Sequence, residues 1–227
     1  LSLKKKNMII LKEVQKNKEV LNFIKESDQA LKTIGYTEHG LTHANLVSER
    51  AREIAKEIGL KKEEQEMCAI SGFCHDMGNF LSRSHHHYLS SLLFYQVFKD
   101  KYPIEEITPI MQAIAVHDKD ELEIPSSICA VLVIADKSDV RRSRVYAKNF
   151  KEINGDIHDR VNYATQKSEI KFIKNKKIIS LTLEIDTKIT PVMEYFEIFT
   201  QRMVYCRKAA DYLGYKFGLK INNFILL

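Results

Sequence analysis

The chain has four cysteines in 227 residues, Cys68, Cys74, Cys129 and Cys206, and they lack the close pairing of a zinc-thiolate knuckle or a small disulfide scaffold. They read as reduced core thiols. Long apolar runs are missing too: nothing approaches the roughly 18 uninterrupted residues of a membrane-spanning helix. The opening, Lys4-Lys5-Lys6 followed only by Met8-Ile9-Ile10-Leu11, carries too short an apolar stretch for a secretory leader, so a cytoplasmic location is expected. There is no repeat and no low-complexity tract. What remains is 44% hydrophobic and 29% charged residues, the composition of a globular chain rather than a disordered one. The formal charge of +5 favours small anionic partners such as phosphates; it permits nucleic acid without pointing to it.

Apolar residues stepping by three and four predict helices through the first part of the chain. A lysine-rich amphipathic helix is predicted over about 9–34, stopped by Gly35. Further helices are predicted over about 42–58, 62–75, 88–98, 109–117 with Thr108 as cap, and 125–144. After Phe150 the texture changes. A polar connection through Asn154-Gly155-Asp156 leads to alternating segments at 168–173 and 178–185 around Asn175-Lys176, which predict a β-hairpin. A helix over about 191–213 and a second hairpin, 215–221 with 224–227 around Asn222-Asn223, complete the chain. The expected fold class is mainly α: a helical bundle over 1–150 and a small α+β appendage over 151–227, made of two hairpins and one helix. The apolar hairpins favour packing or a homodimer.

Histidines and aspartates recur where apolar helical sequence would otherwise continue. His43 begins a stripe through Val47, Ala51, Ile54, Ala55 and Ile58, so on a helix it shares the core-facing side. His117 does the same behind Ile110, Ala113 and Ile114. Asp136 closes a run of apolar residues from Cys129 to Ala135, and an isolated buried carboxylate is expensive or takes up a proton. His75-Asp76 stands where the third predicted helix ends, where the dipole disfavours a carboxylate by about 0.3–1 kcal/mol. A bound cation would remove both penalties. Imidazole and carboxylate donors without thiolates suit Fe, Mn, Zn, Co or Ni and do not choose among them.

This order, in the contexts Thr42-His43-Ala44-Asn45-Leu46-Val47, Phe73-Cys74-His75-Asp76-Met77-Gly78 and Ile134-Ala135-Asp136-Lys137, resembles the HD superfamily of metal-dependent phosphohydrolases over about residues 36–145. The resemblance implies an HD-type helical bundle. Members holding two metals add histidines after the His-Asp pair, and His87, heading His87-Tyr88-Leu89-Ser90-Ser91-Leu92-Leu93, and His117 stand at those places. The implied ligands are His43, His75, Asp76, His87, His117 and Asp136 around two divalent ions, with His86 next in line for the place given to His87. The implied reaction is hydrolysis of a phosphoester or phosphoanhydride in a nucleotide or another small phosphorylated molecule, by a metal-activated hydroxide attacking phosphorus in line. Nucleoside polyphosphates and dinucleoside polyphosphates come first as substrates.

Asp76 takes a catalytic part in this reading, and Lys137, Arg141, Arg142 and Arg83 are candidate phosphate contacts. One departure stands out: Asn79 occupies the place where related binuclear phosphodiesterases carry a lysine. Leaving-group protonation then falls to a histidine such as His85 or His86, and His86 is the expected catalytic acid. Together with the missing Gly-Tyr-Pro motif, Asn79 argues against cyclic-di-GMP hydrolysis. It also motivates a rival expectation, a non-catalytic regulatory module that binds metal and nucleotide without cleaving. His39 is expected to support His43 or to lie exposed, and His158 to be ordinary surface.

Overall fold

The three-and-four stepping of the first part folds as helices throughout, in a computed structural model that describes residues 8–119 and 121–226. Lys4, Lys5, Lys6 and Leu227 lie outside the described residues. In chain order the helices are α1 (Leu11–Val14), α2 (Lys18–Thr33), α3 (Leu41–Glu57), α4 (Lys62–Cys74), α5 (His86–Phe98), α6 (Ile104–Val116) and α7 (Ser127–Lys137). After them come α8 (Phe150–Gly155), α9 (Ile157–Ala164), strands β1 (Thr165–Ile173) and β2 (Ile178–Ile185), α10 (Val192–Tyr212), and strands β3 (Lys216–Ile221) and β4 (Phe224–Leu226). The fold is mainly α with a small α+β module, as the periodicities predict. No helix among the described residues is long and apolar enough to cross a membrane.

Several boundaries differ from expectation, each for a local reason. The helix predicted over 9–34 is broken because Asn17 caps a new one, its side chain accepting from Glu19 N at 2.9 Å and Val20 N at 3.2 Å. The helix predicted from Pro109 begins five residues earlier, at Ile104, so Pro109 lies inside it. Thr108 does not cap: its hydroxyl donates back to Ile104 O at 2.8 Å. The helix predicted over 125–144 ends at Lys137, before a single 3-10 turn at Arg142–Arg144. The polar connection at 154–156 is in fact the junction of α8 and α9, capped by Asn149 and Asp156.

The chain divides into two compact units, the first running through Ala135 and the second from Asp136, so the division falls earlier than the expected 150/151. In the first unit the stripe of α3 buries Val47, Ala51, Ile54 and Ala55 completely. Ile70, Phe73 and Met77 join Phe94, Ile107, Ile110 and Ile114 in one apolar cluster. Each fully buried large side chain contributes roughly 1.5–3 kcal/mol. α3 and α4 cross closely because Gly72 has no side chain: a Cβ there would stand 2.9 Å from the Ser48 backbone and from Val47 O. Ser48 secures the crossing by donating to Ala69 O at 2.7 Å.

The second unit is a four-stranded sheet in the order β1-β2-β3-β4. β1 and β2 form the expected antiparallel hairpin, and β3 and β4 a second. The two hairpins join through parallel pairing of β2 with β3, which the 21-residue α10 between them makes possible as a crossover. Leu181, Leu183 and Ile185 alternate into a core with Tyr195 and Phe199 of α10.

Candidate metal centre

Five predicted residues of the first unit meet at one place. His43 is the third residue of α3, His75 follows the end of α4, His86 opens α5 and His117 follows the end of α6. All four are 1% exposed, and Asp76 lies among them at 8%. The Asp76 carboxylate is shared in a specific way. Its Oδ2 is 3.3 Å from His75 Nε2 and 3.6 Å from His43 Nε2. Its Oδ1 is 3.2 Å from His86 Nε2 and 3.9 Å from His117 Nε2. Two groups able to hold a metal ion result, His43/His75/Asp76 and Asp76/His86/His117, each with its ligand atoms within 4.8 Å of one another.

The ring orientations follow from helix ends. A helix leaves its last carbonyls without backbone partners, and two of them hold rings of this cluster. Gly72 O accepts from His75 Nδ1 at 2.8 Å, and Ile114 O accepts from His117 Nδ1 at 2.7 Å. Before α5, Arg83 O likewise accepts from His86 Nδ1 at 2.8 Å. In every case the carbonyl belongs to the residue three before the histidine. A carbonyl only accepts, so the proton of each neutral ring is on Nδ1 and the lone pair is on Nε2.

That assignment makes the cluster self-repelling without a cation. His86 Nε2 and His117 Nε2 face each other at 3.2 Å, two lone pairs aimed at one point and at a carboxylate oxygen. His75 Nε2 meets His43 Nε2 at the same distance. Only a proton or a metal ion between such atoms relieves the opposition, and the imidazole and carboxylate set suits a divalent ion of the zinc, iron, manganese, cobalt or nickel type. When no ion is bound the relief must come from protons: burial pushes the Asp76 carboxyl up, but positive charge on a protonated His75 and hydrogen bonds from His117, His75 and His86 protonated at Nε2 outweigh it and hold it well below the usual carboxylate range. Asp76 stays an anion in the interior.

Backbone contacts fix this geometry. The first turn of α3 follows Gly40, which has no side chain to cap with, and Glu38 does it instead: its Oε1 accepts from Gly40 N at 2.9 Å and from His43 N at 3.2 Å. Gly78 lets the loop after Asp76 touch the start of α5. A Cβ there would fall 2.6 Å from Ser90 N and 2.8 Å from His86 O, and Gly78 N donates to Ser90 Oγ at 2.8 Å. Asn79 supports the same loop by donating to Asp76 O at 2.9 Å.

The run His85-His86-His87 resolves in favour of His86. His85 is exposed, and His87, preferred from the sequence, is buried beside the cluster without joining either metal-capable group that includes Asp76. Its ring centroid lies 5.5 Å from that of His86 and 6.4 Å from that of His117, and burial, followed by the charges of His117 and His86, lowers its pKa to about 4. On a helix start, neighbours 100° apart both reach a broad buried face, so periodicity alone could not choose between them.

Arg83 is the predicted phosphate contact that the first unit places at the cluster. Its Nη1 is 3.1 Å from His86 Nδ1 and 3.3 Å from Nε2. Near-equal distances to both ring nitrogens put the guanidinium over the ring face. It also donates to Asn79 Oδ1 at 3.2 Å, pairs with Asp118 Oδ2 at 3.4 Å, and lies 5.6 Å from the centre of the Tyr36 ring. Asp118 was not singled out from the sequence, although it follows His117 directly. Its Oδ2 is 3.6 Å from His86 Nε2. His39 is buried edge-on to His43, ring centres 5.5 Å apart, with its Nδ1 2.5 Å from Thr37 O, and Cys74 is a fully buried thiol that burial pushes well up.

The remaining predicted residues open the second unit. Asp136 is half-buried in the last turn of α7, where its Oδ2 accepts from Lys137 Nζ at 2.8 Å. Arg141 Nε donates to the buried Asp139 at 3.0 Å, and Arg142 stacks on Tyr163 with its Nε donating to Tyr163 O at 2.6 Å. His158 is exposed near Asp156. All four cysteines are free and buried, as expected.

No family model matches the chain. It is 25% identical over 210 residues to an uncharacterized protein of Methanocaldococcus jannaschii, MJ1020, a similarity that spans 82% of this chain and 80% of that protein.

Proposed function

We propose that the protein is an HD-type metal-dependent phosphohydrolase that cleaves a phosphoester or phosphoanhydride in a nucleotide or another small phosphorylated molecule. One observation carries the reading: a buried carboxylate gives one oxygen to each of two histidine pairs, and at least three of the four Nε2 atoms are lone-pair donors by virtue of their Nδ1 partners. That is a donor set for two divalent ions sharing Asp76. His43 and His75 would hold one, His86 and His117 the other, and Asp136 is kept as a proposed ligand by the order of the motif. Such ions supply Lewis-acid polarisation of a phosphoryl oxygen and lower the pKa of a water.

The chain's own residues would do the rest. Asp76 keeps its charge and holds both pairs in register. Arg83, a permanent cation lying over His86, neutralises phosphate oxygens at the edge of the cluster, where planar guanidinium geometry suits two oxygens at once. His86 moves from the expected leaving-group acid to a ligand, because its Nδ1 proton is engaged by Arg83 O and its Nε2 faces Asp76.

The test is turnover. Protein reconstituted separately with Mn, Fe, Co, Ni or Zn should release phosphate or nucleotide from a panel of phosphoesters and phosphoanhydrides, and Asp76→Ala should lose metal and activity together. Tight nucleotide binding without release in every metal would sink the enzyme reading and favour the regulatory module.

A further inference from the structure

The cavity beside His86 is acidic on a chain that is basic overall. About 450 Å³ in volume, it is lined by His87, Tyr88, Asp118, Lys119, Glu121 and Glu123 among others. Among the described residues that line it, three carboxylates stand with one ammonium, Arg83 pairing with Asp118 at 3.4 Å and leaving Glu121 and Glu123 against Lys119, whereas the chain as a whole carries +5. Asp118 ties the cavity to the metal centre, since its Oδ2 is 3.6 Å from His86 Nε2. His87 supplies an independent mark. It is 6% exposed, and its Nδ1 is buried without a hydrogen-bond partner, a costly state for a polar atom unless a ligand meets it.

We infer that this cavity receives the alcohol part of the substrate, a group rich in hydrogen-bond donors and bearing no further phosphate, as in a nucleoside or sugar phosphomonoester. The inference rests on the phosphohydrolase reading and narrows it away from the polyphosphates that resemblance puts first. Hydroxyl and amino hydrogens find acceptors in Asp118, Glu121, Glu123 and the imidazole of His87, and Tyr88 offers a ring face. A second phosphate would lie against the same carboxylates. Hydrolysis breaks the bond between phosphorus and the alcohol oxygen; the water oxygen goes to phosphorus, a water proton goes to the departing alkoxide, and inorganic phosphate and a neutral alcohol leave.

Two measurements test it. For adenosine, guanosine, cytidine and uridine nucleotides, the wild-type kcat/KM should favour the 5′-monophosphate over the triphosphate by about tenfold or more, and the Glu121→Lys/Glu123→Lys variant, altered at two exposed positions, should cut that preference at least about tenfold. A wild-type preference for the triphosphate, or a ratio that the variant leaves unmoved, overturns the inference. Separately, saturation-transfer NMR should show the four unphosphorylated nucleosides touching the wild-type protein and not His87→Ala, while elemental analysis finds the same metal content in both. Absent contact in the wild type, contact retained in His87→Ala, or metal lost from His87→Ala overturns it as well. If nucleosides bind in this way yet no phosphate is released from any compound, the phosphohydrolase reading fails and the cavity assignment stands.

Discussion

Both units bury charge, and they handle it in opposite ways. In the second, Asp139 is fully buried and answered locally: Arg141 Nε is 3.0 Å away, Arg144 Nη1 is 3.5 Å from its Oδ2 and also donates to Asp139 O at 3.1 Å. Arg160 likewise forks onto Glu194 with two contacts of 3.0 Å. In the first, a carboxylate and at least three imidazoles are brought together as acceptors facing acceptors, so the opposition is left for a cation or a proton to resolve. The lesson is that burial of polar groups is not by itself a functional signal. What distinguishes a structural network from a ligand site is whether the donors and acceptors balance within the protein.

That contrast can be broken experimentally. The largest effect is expected from Asp139→Ala, which leaves Arg144 buried without its carboxylate and should cost the second unit about 3–5 kcal/mol by chemical denaturation. Metal addition should stabilise the first unit, which supplies five of the six proposed ligands, by about 2.7 kcal/mol when free ion is a hundredfold above Kd, visible as an upward shift of its calorimetric transition. Gly78→Ala should cost about 1–3 kcal/mol by overpacking against Ser90 and His86 backbone, and it should weaken metal binding because His86 is pushed from Asp76. His117→Leu sharpens the point, since it removes one of two opposed lone pairs. Metal-free protein should be unharmed or stabilised by about 1 kcal/mol while the ion held by His86 and His117 is lost.

The smallest effect concerns acid. Hydrogen bonds from Arg160 and Thr190 hold the Glu194 carboxyl below its ordinary range. A group depressed in the folded state stabilises above its unfolded pKa, and that contribution disappears as pH falls through the lowered value. Glu194→Gln should therefore cost at most about 1 kcal/mol near neutrality for so accessible a pair, and the difference from wild type should vanish on acidification below the carboxylate range.

Much of this was legible in the sequence, and the exceptions have physical causes. His43 and His117 could be placed because each sits in register with a buried stripe, and His75-Asp76 because it stands at a helix end. His86 could not be separated from His87, since adjacent positions on α5 share the buried side and only the Gly78 contact selects between them. α8 and α9 were hidden because their capping residues, Asn149 and Asp156, are the same residues that mark loops. The early end of α7 depends on Asp139 drawing Arg141 and Arg144 around itself, a tertiary pairing with no periodic signature. The parallel join of β2 to β3 was invisible for the same reason: alternation marks strands but not their partners. Asp118 passed unnoticed because a lone aspartate after a histidine carries no spacing signal of its own.

The central claim is that the imidazole and carboxylate cluster exists to hold cations. Elemental analysis of protein reconstituted with Mn, Fe, Co, Ni or Zn, joined to anomalous scattering from its crystals, tests this most directly. Two divalent ions per chain, one between His43 and His75 and one between His86 and His117, with Asp76 bound to both, is the predicted result. Crystals grown with each of the five metals that show no anomalous peak at these side chains would contradict it.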